Sequence, residues 1–404
     1  TALISLNSSI VTEVDSLTIR SGSENPIANK YSISGDENGR VFTHNGSGTL
    51  RLEGLDIRKG QVTANGAKGG CILSQGHVAL DRSGMKYCHA EGSSGTIQGG
   101  AIFARSVTLT QSLIDKSSAT ATGTGATASG GAIHAQQGVN LIDSRVTRNA
   151  VKVTGSATFG INGGGITTGR LDALHSTIAN NEVRVGDDAD AGGARGAGVD
   201  ITGAIETGSA LSFIRFSTIS GNKIVTGDDE SNAGGAAVFF NPTGDTTLTI
   251  ESSTIANNTS DRSKKYGGAL ALAKDATITN STISGNKFLA DAAANASKYD
   301  GAGITLDDGV TLTLRNTIVS GNVLADAADP NIAFGSDIGV FDDNTATLNG
   351  TPNFLGNVNS SVTITGTGNI IDNYDPDLGA LQDNGGPTET MFPNTDSPVI
   401  DAGG

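Results

Sequence analysis

The residues best suited to chemistry in this 404-residue chain are acidic, and they come in two bursts. One is "VGDDADAGGAR", carrying Asp187, Asp188 and Asp190; the other is "TGDDESNAGG", carrying Asp228, Asp229 and Glu230. Carboxylates brought close together repel one another unless they splay into water or share a hard cation. Solvated loops are the plainer expectation. The sharper one is a Ca²⁺ site made from Asp187, Asp188, Asp228 and Asp229. A third is glycoside hydrolysis, which uses two carboxyls about 5 to 10 Å apart. A lyase would instead need a Lys or Arg base beside the acids, and Arg184 and Arg195 flank the first burst.

What would bring two bursts 41 residues apart into contact is a repeat. "GGAIHA" at Gly130 recurs as "GGCILS" at Gly69, "GGAIFA" at Gly99, "GGGITT" at Gly163 and "GGALAL" at Gly267. Looser copies begin at Gly196, Gly234 and Gly301, with intervals of 30, 31, 33, 33, 38, 33 and 34 residues. A second phrase keeps step with the first: "STIANN" at Ser176 and Ser253, "STISGN" at Ser217 and Ser281, "TIVSGN" at Thr317. Such self-similarity marks a repeat architecture.

Aligned copies give three aliphatic columns. The first runs Ile72, Ile102, Ile133, Ile166, Val199, Val238, Leu270, Ile304; the second Leu80, Leu109, Leu141, Ala173, Ile214, Ile250, Ile278, Leu314. The third runs Met85, Ile114, Val146, Ile178, Ile219, Ile255, Ile283, Val319. Apolar and polar residues alternate within each phrase, the period of a strand with one buried face. Three short strands per coil, stacked about 4.8 Å apart, predict an all-β fold: a single right-handed parallel β-helix with capped ends. A thin core of stacked aliphatics also accounts for the 4% aromatic content and the lack of Trp. Residues 1–60 are expected to form the N-terminal cap and first irregular coils, 61–324 the regular coils, and 325–404 the C-terminal coils and cap.

The repeat assigns places to the remaining polar residues. Cys88, Ser117, Asn149, Asn181, Asn222, Asn258, Asn286 and Asn322 share a column. Asn tolerates left-handed backbone and can bond to its own kind one rung away, so a structural ladder at a corner is expected. The glycine pairs are read as a tight corner. Leu73, Phe103, His134, Thr167, Asp200, Phe239, Ala271 and Thr305 form an outward column. There His134 is expected to be solvated, about 10 Å by strand spacing from Asp200. Phe103, His134, Asp200 and Phe239 are the candidate binding residues on that face. The five His residues show no metal-ligand spacing. Cys71 and Cys88 belong to one rung but different corners, and two independent thiols are expected in preference to a disulfide.

The paired "GGAI" and "STISGN" phrases resemble the passenger repeats of bacterial polymorphic outer-membrane proteins, and "SGTLRLEGLDIRKG" (47–60) resembles their opening rung. Residues 368–404, "GNIIDNYDPDLGALQDNGGPTETMFPNTDSPVIDAGG", closely resemble the C-terminal segment of secreted choice-of-anchor Q proteins. The resemblance implies an exported, often surface-attached protein with a pectate-lyase-like shape, and a chain that continues past Gly404. It does not imply one chemistry, because this shape hosts adhesins, lyases, hydrolases and epimerases.

With 26 basic against 41 acidic residues, the formal charge is −15. That disfavours nucleic acid and anionic membranes as partners. No apolar stretch approaches the roughly 18 residues of a membrane span. The start at Thr1 reads as a mature or excised fragment. The function expected is an extracellular adhesin or rigid stalk binding glycans or cell-surface proteins, with a polysaccharide-active enzyme on the same scaffold as the alternative.

Overall fold

The computed structural model describes residues 3–22, 31–155, 160–186, 193–203, 211–226, 233–244, 246–260, 267–290, 301–326, 333–335, 337–341, 344–371 and 375–403. All regular structure among them is β, and the strands stack in parallel except for the pair Val323–Asp326/Ala333–Gly335 and the hairpin Leu378–Gln382/Thr390–Pro393. The chain is a β-solenoid.

Every expected column is a ladder. Thirteen strands form the first sheet, where Met85 pairs in register with Ile114, and the series continues through Ile178, Ile219, Ile255 and Ile283 to Val319. The other two columns lie in the second sheet, on strands such as Ile166–Thr168 and Leu171–Leu174. In the coils of the Gly99 and Gly130 phrases these merge into single long strands, Ile102–Thr110 and Ile133–Ile142. All three columns are buried in one continuous cluster. Identical branched side chains at one-rung spacing fill this slot without large rings.

Between the Asn corner and the glycine corner the coils make excursions, whose described parts build two further sheets. A ten-stranded third sheet carries the chain out, on strands such as Ala150–Val153 and Glu182–Val185. A five-stranded fourth sheet brings it back through Thr96–Gln98, Thr127–Ser129, Ile161–Asn162, Ala194–Arg195 and Ala233–Gly234. A second, alanine-rich core lies between them, with Ala119, Ala128, Val151, Ile161 and Val183.

The Asn column is a hydrogen-bonded ladder. Each amide Nδ2 donates to the Oδ1 of the next rung at 2.8–3.0 Å, from Asn149 through Asn322. The Nδ2 groups also donate to carbonyls of the isoleucine column, as Asn222 does to Ile178. The donors all point one way, so the last rung must only accept. Asp337 ends the ladder: Oδ1 receives Asn322, and Oδ2 receives the Asn357 amide. Burial raises the Asp337 pKa, and those three hydrogen bonds oppose the rise. The left-handed backbone falls one residue earlier than expected, on Asn180, Gly221, Asn257, Gly285 and Gly321. This explains why the phrase ends in "ANN" or "SGN".

Replacing Asn222 by Ala should cost about 1 to 3 kcal/mol, because the Asn181 donor and the Ile178 carbonyl both lose their partner. Urea unfolding measures it. No change would remove the ladder's structural role.

A parallel serine ladder was not read from the sequence. The Ser of each "STI" accepts the amide of the Ser one rung before, from Ser83 to Ser281. Its hydroxyl donates to the carbonyl two residues back. The signal was present as the first letter of the phrase, Ser in seven coils and Thr317 in the eighth.

Gly130 sits at φ 66°, and a Cβ on Gly131 would collide with the Gly164 carbonyl. The pair therefore serves two needs, a left-handed turn and close backbone stacking.

The expectation of two free thiols is overturned. Cys71 and Cys88 form a disulfide, with Cα atoms 5.4 Å apart. The two corners are separate in sequence but touch in space, because the excursion leaves and returns through one neck. In other rungs the same contact pairs a small residue with the ladder, as Gly165 with Asn181 and Gly198 with Asn222.

At the far end, residues 375–403 fold back along the first sheet. The hairpin Leu378–Gln382/Thr390–Pro393 brings the Glu389 carbonyl to the Thr218 hydroxyl at 2.6 Å, and the Thr388 hydroxyl reaches the Phe216 carbonyl.

Candidate functional site

The outward column is in register from Leu73 through Phe103, His134, Thr167, Asp200, Phe239 and Ala271 to Thr305. It is not solvated. The fourth sheet lies over its middle, because the returning excursion has to cross it to reach the glycine corner. Phe103 and Phe239 are buried, capped by Lys68 at 4.6 Å and Arg195 at 4.7 Å from the ring centres. Cations over aromatic faces are favourable contacts that also close these rings off from water.

His134 is accordingly half-buried rather than a surface histidine. Its ring stacks on Phe103 at 5.4 Å, and both nitrogens are engaged. The Gln98 amide reaches Nε2 at 3.1 Å, and Ser129 Oγ lies 2.9 Å from Nδ1. An amide donor on Nε2 fixes the neutral tautomer, with the proton on Nδ1 directed at Ser129. Lost hydration, aided by the Lys68 charge, pushes the His134 pKa down to about 4.

Asp200 is 0% exposed. Oδ2 accepts from the Thr202 hydroxyl at 2.7 Å, while Oδ1 has no hydrogen-bond partner. Burial pushes its pKa up to about 6, against the pull of Arg195 and Thr202. Thr167 separates it from His134 by one rung each way, so the two groups form no direct pair.

A cleft of about 430 Å³ occurs elsewhere, at the turns around Thr247 and Val310. The cleft at this column is about 320 Å³ and is lined by Gln98, Ser129, His134, Asn162, Thr167 and Thr202. Hydroxyls, amides and a neutral imidazole make a surface suited to a hydroxyl-rich ligand. The described lining contains no carboxylate, so the two-acid arrangement of a glycosidase is not assembled there.

Asp187, Asp188, Asp190, Asp228, Asp229 and Glu230 lie outside the described residues. Their neighbours are placed: Arg184 ends up on the outgoing third sheet, and Arg195 on the returning fourth sheet.

Asp200 gives a test with a definite sign. Its proton is held more tightly in the folded chain, so folding is favoured at low pH and loses stability as pH rises from about 4 to about 6. Two pKa units correspond to about 3 kcal/mol. Asp200→Asn should therefore gain on the order of 2 kcal/mol at pH 7, the gain shrinking towards zero near pH 4. The downward-shifted His134 acts in the opposite direction over a similar range, so the variant must be compared with the wild type at each pH. Chemical unfolding across pH 4–8 reads the difference. A loss of stability at pH 7 would show that the buried carboxylate is required as an anion.

No family model matches the chain, and no curated protein or solved structure matches it either. The class that the fold defines is the parallel β-solenoid.

Proposed function

We propose that the chain is an extracellular stalk or adhesin domain, a stiff rod binding glycans or cell-surface proteins along its flank. The observation that carries this reading is a continuous rod stapled by a disulfide. Disulfides persist in oxidising compartments outside the cytosol. Side-chain ladders along the rod lock successive coils in register, which suits a stand-off element. Membership of the choice-of-anchor Q and polymorphic outer-membrane passenger group belongs to the same reading, supported by the repeats and the segment 368–404. The polar cleft beside His134 is the glycan-sized feature of the flank, and the acidic loops supply a Ca²⁺-dependent edge. Nucleic acid and membrane insertion form no part of it.

The second reading, a polysaccharide-active enzyme, is favoured by Asp200, a carboxyl titrating near 6 with one free oxygen. Its complete burial, and the lack of any carboxylate in the described cleft lining, weigh against it. A glycan array run with EDTA and with Ca²⁺, beside a polysaccharide degradation screen, separates the two. Binding without product supports the adhesin; product formation lost in Asp200→Asn supports the enzyme.

A further inference from the structure

The outer face of the first sheet is divided by charge. Its strands Leu55–Arg58, Gly84–Lys86, Leu113–Asp115 and Arg145–Thr147, with the corner residues that follow, carry Arg58, Lys59, Lys86, Lys116, Arg145 and Arg148 against only Asp56 and Asp115. Arg58 pairs with Asp56 and Arg148 with Asp115, while Lys59 lies 3.6 Å from Glu37. Among the described residues, Lys86, Lys116 and Arg145 have no carboxylate at ion-pair distance. Lys116 lies instead over the ring of Tyr87, which is 43% exposed.

From Thr177–Ala179 onward the strands of this sheet carry no charge on their "STI" phrases. Over that neutral half lies the C-terminal segment 375–403, anchored at Thr218 and touching Gly321 through Pro376. It contains Asp375, Asp377, Asp383, Glu389, Asp396 and Asp401 and no Lys or Arg. All but the half-buried Asp377 are exposed, and Phe392 beside them is 67% exposed. One face of the rod thus presents a basic half with an exposed Tyr, then an acidic half with an exposed Phe.

We infer that this face binds a second copy of the chain, side by side and antiparallel. A two-fold axis through the neutral strand Thr177–Ala179 places Arg145 of one copy against the strand where Glu389 sits on the other. The three preceding basic strands then fall on the rest of the partner's tail. Such an interface is isologous, the same patch serving both copies. It also answers the repulsion expected between two chains of charge −15, because the opposed halves attract at short range while the like charges elsewhere are screened. No other occupant on this face is needed to pair the unmatched cations.

Sedimentation velocity on the intact chain tests it, at about 50 mM and about 500 mM salt, where the screening length shortens from about 14 Å to about 4 Å. Dimer is expected at low salt and monomer at high salt. Lys86→Glu/Lys116→Glu/Arg145→Glu should be monomeric at both, and so should Asp383→Lys/Glu389→Lys/Asp396→Lys. An equimolar mixture of the two variants should regain a dimer, since both contacts of the mixed pair are then attractive, one with the native signs and one with both signs reversed. Unchanged melting curves show that each variant is folded. Wild type monomeric at all concentrations overturns the inference, and so does a dimer indifferent to the triple reversals. A monomer whose basic half retains an anionic polysaccharide, with retention lost in the Lys86/Lys116/Arg145 variant, overturns it in favour of a glycan. Failure here leaves the adhesin reading standing, because the array does not depend on self-association.

Discussion

Ile219→Asp should cost several kcal/mol, a large part of the roughly 5–15 kcal/mol that holds a typical domain together. Ile219 is buried and sits in register between Ile178 and Ile255, with Ile283 one rung further. A carboxylate there would face only methyl groups, so it must either ionise unpaired or hold a proton at neutral pH. Ile219→Val is the control and should cost about 1 kcal/mol for one lost methylene. Because a solenoid transmits stability between neighbouring rungs, the damage should be local. Hydrogen exchange should speed up on the strands of Ile178, Ile219 and Ile255, while the rung closed by Cys71–Cys88 stays protected. An Asp variant as stable as the Val variant would mean that the ladder does not face the core.

Removing the disulfide should cost about 3 kcal/mol, the loop entropy expected when the bridged residues are 17 apart. The repeat itself supplies the mildest replacement. The next coil carries Ala101 and Ser117 at these two positions, and Ser117 Oγ already accepts the Cys88 amide. Cys71→Ala/Cys88→Ser should therefore lose the cross-link with little change of volume, the one further loss being the Gly60 amide's contact with Cys71 Sγ. Its midpoint in urea should match that of the reduced wild type and fall below that of the oxidised protein. Equal midpoints for oxidised and reduced wild type would mean that the neck is held by packing alone. The effect should concentrate at the N-terminal coils, where the cross-link replaces the Asn ladder rather than adding to it.

The two kinds of prediction rest on different sources of information. The three aliphatic columns were determined by the sequence, because strand alternation and a coil-length repeat both leave periodic traces in residue type. The Asn ladder was equally legible, since an amide recurring at one place in six successive coils has few physical uses besides bonding to its copies. Its terminator was not: Asp337 stands 15 residues after Asn322 with no repeat to mark it, and only the direction of the donors shows why it must be an acid.

The disulfide left a trace that could have been used, because both columns break in the same coil. That trace becomes a bond only once the excursion is known to leave and return through one neck. The status of His134, Asp200 and Phe239 was decided by tertiary structure alone. Strand alternation says that they point away from the main core, and it says nothing about what covers them. The cover is a sheet of two- and three-residue strands, too short to show any period. The fold-back of residues 375–403 was also invisible, because Thr218 meets Glu389 across 171 residues of chain. Periodicity reports each residue's relation to its own coil. Which surfaces are then buried by another part of the chain depends on contacts that no local pattern records.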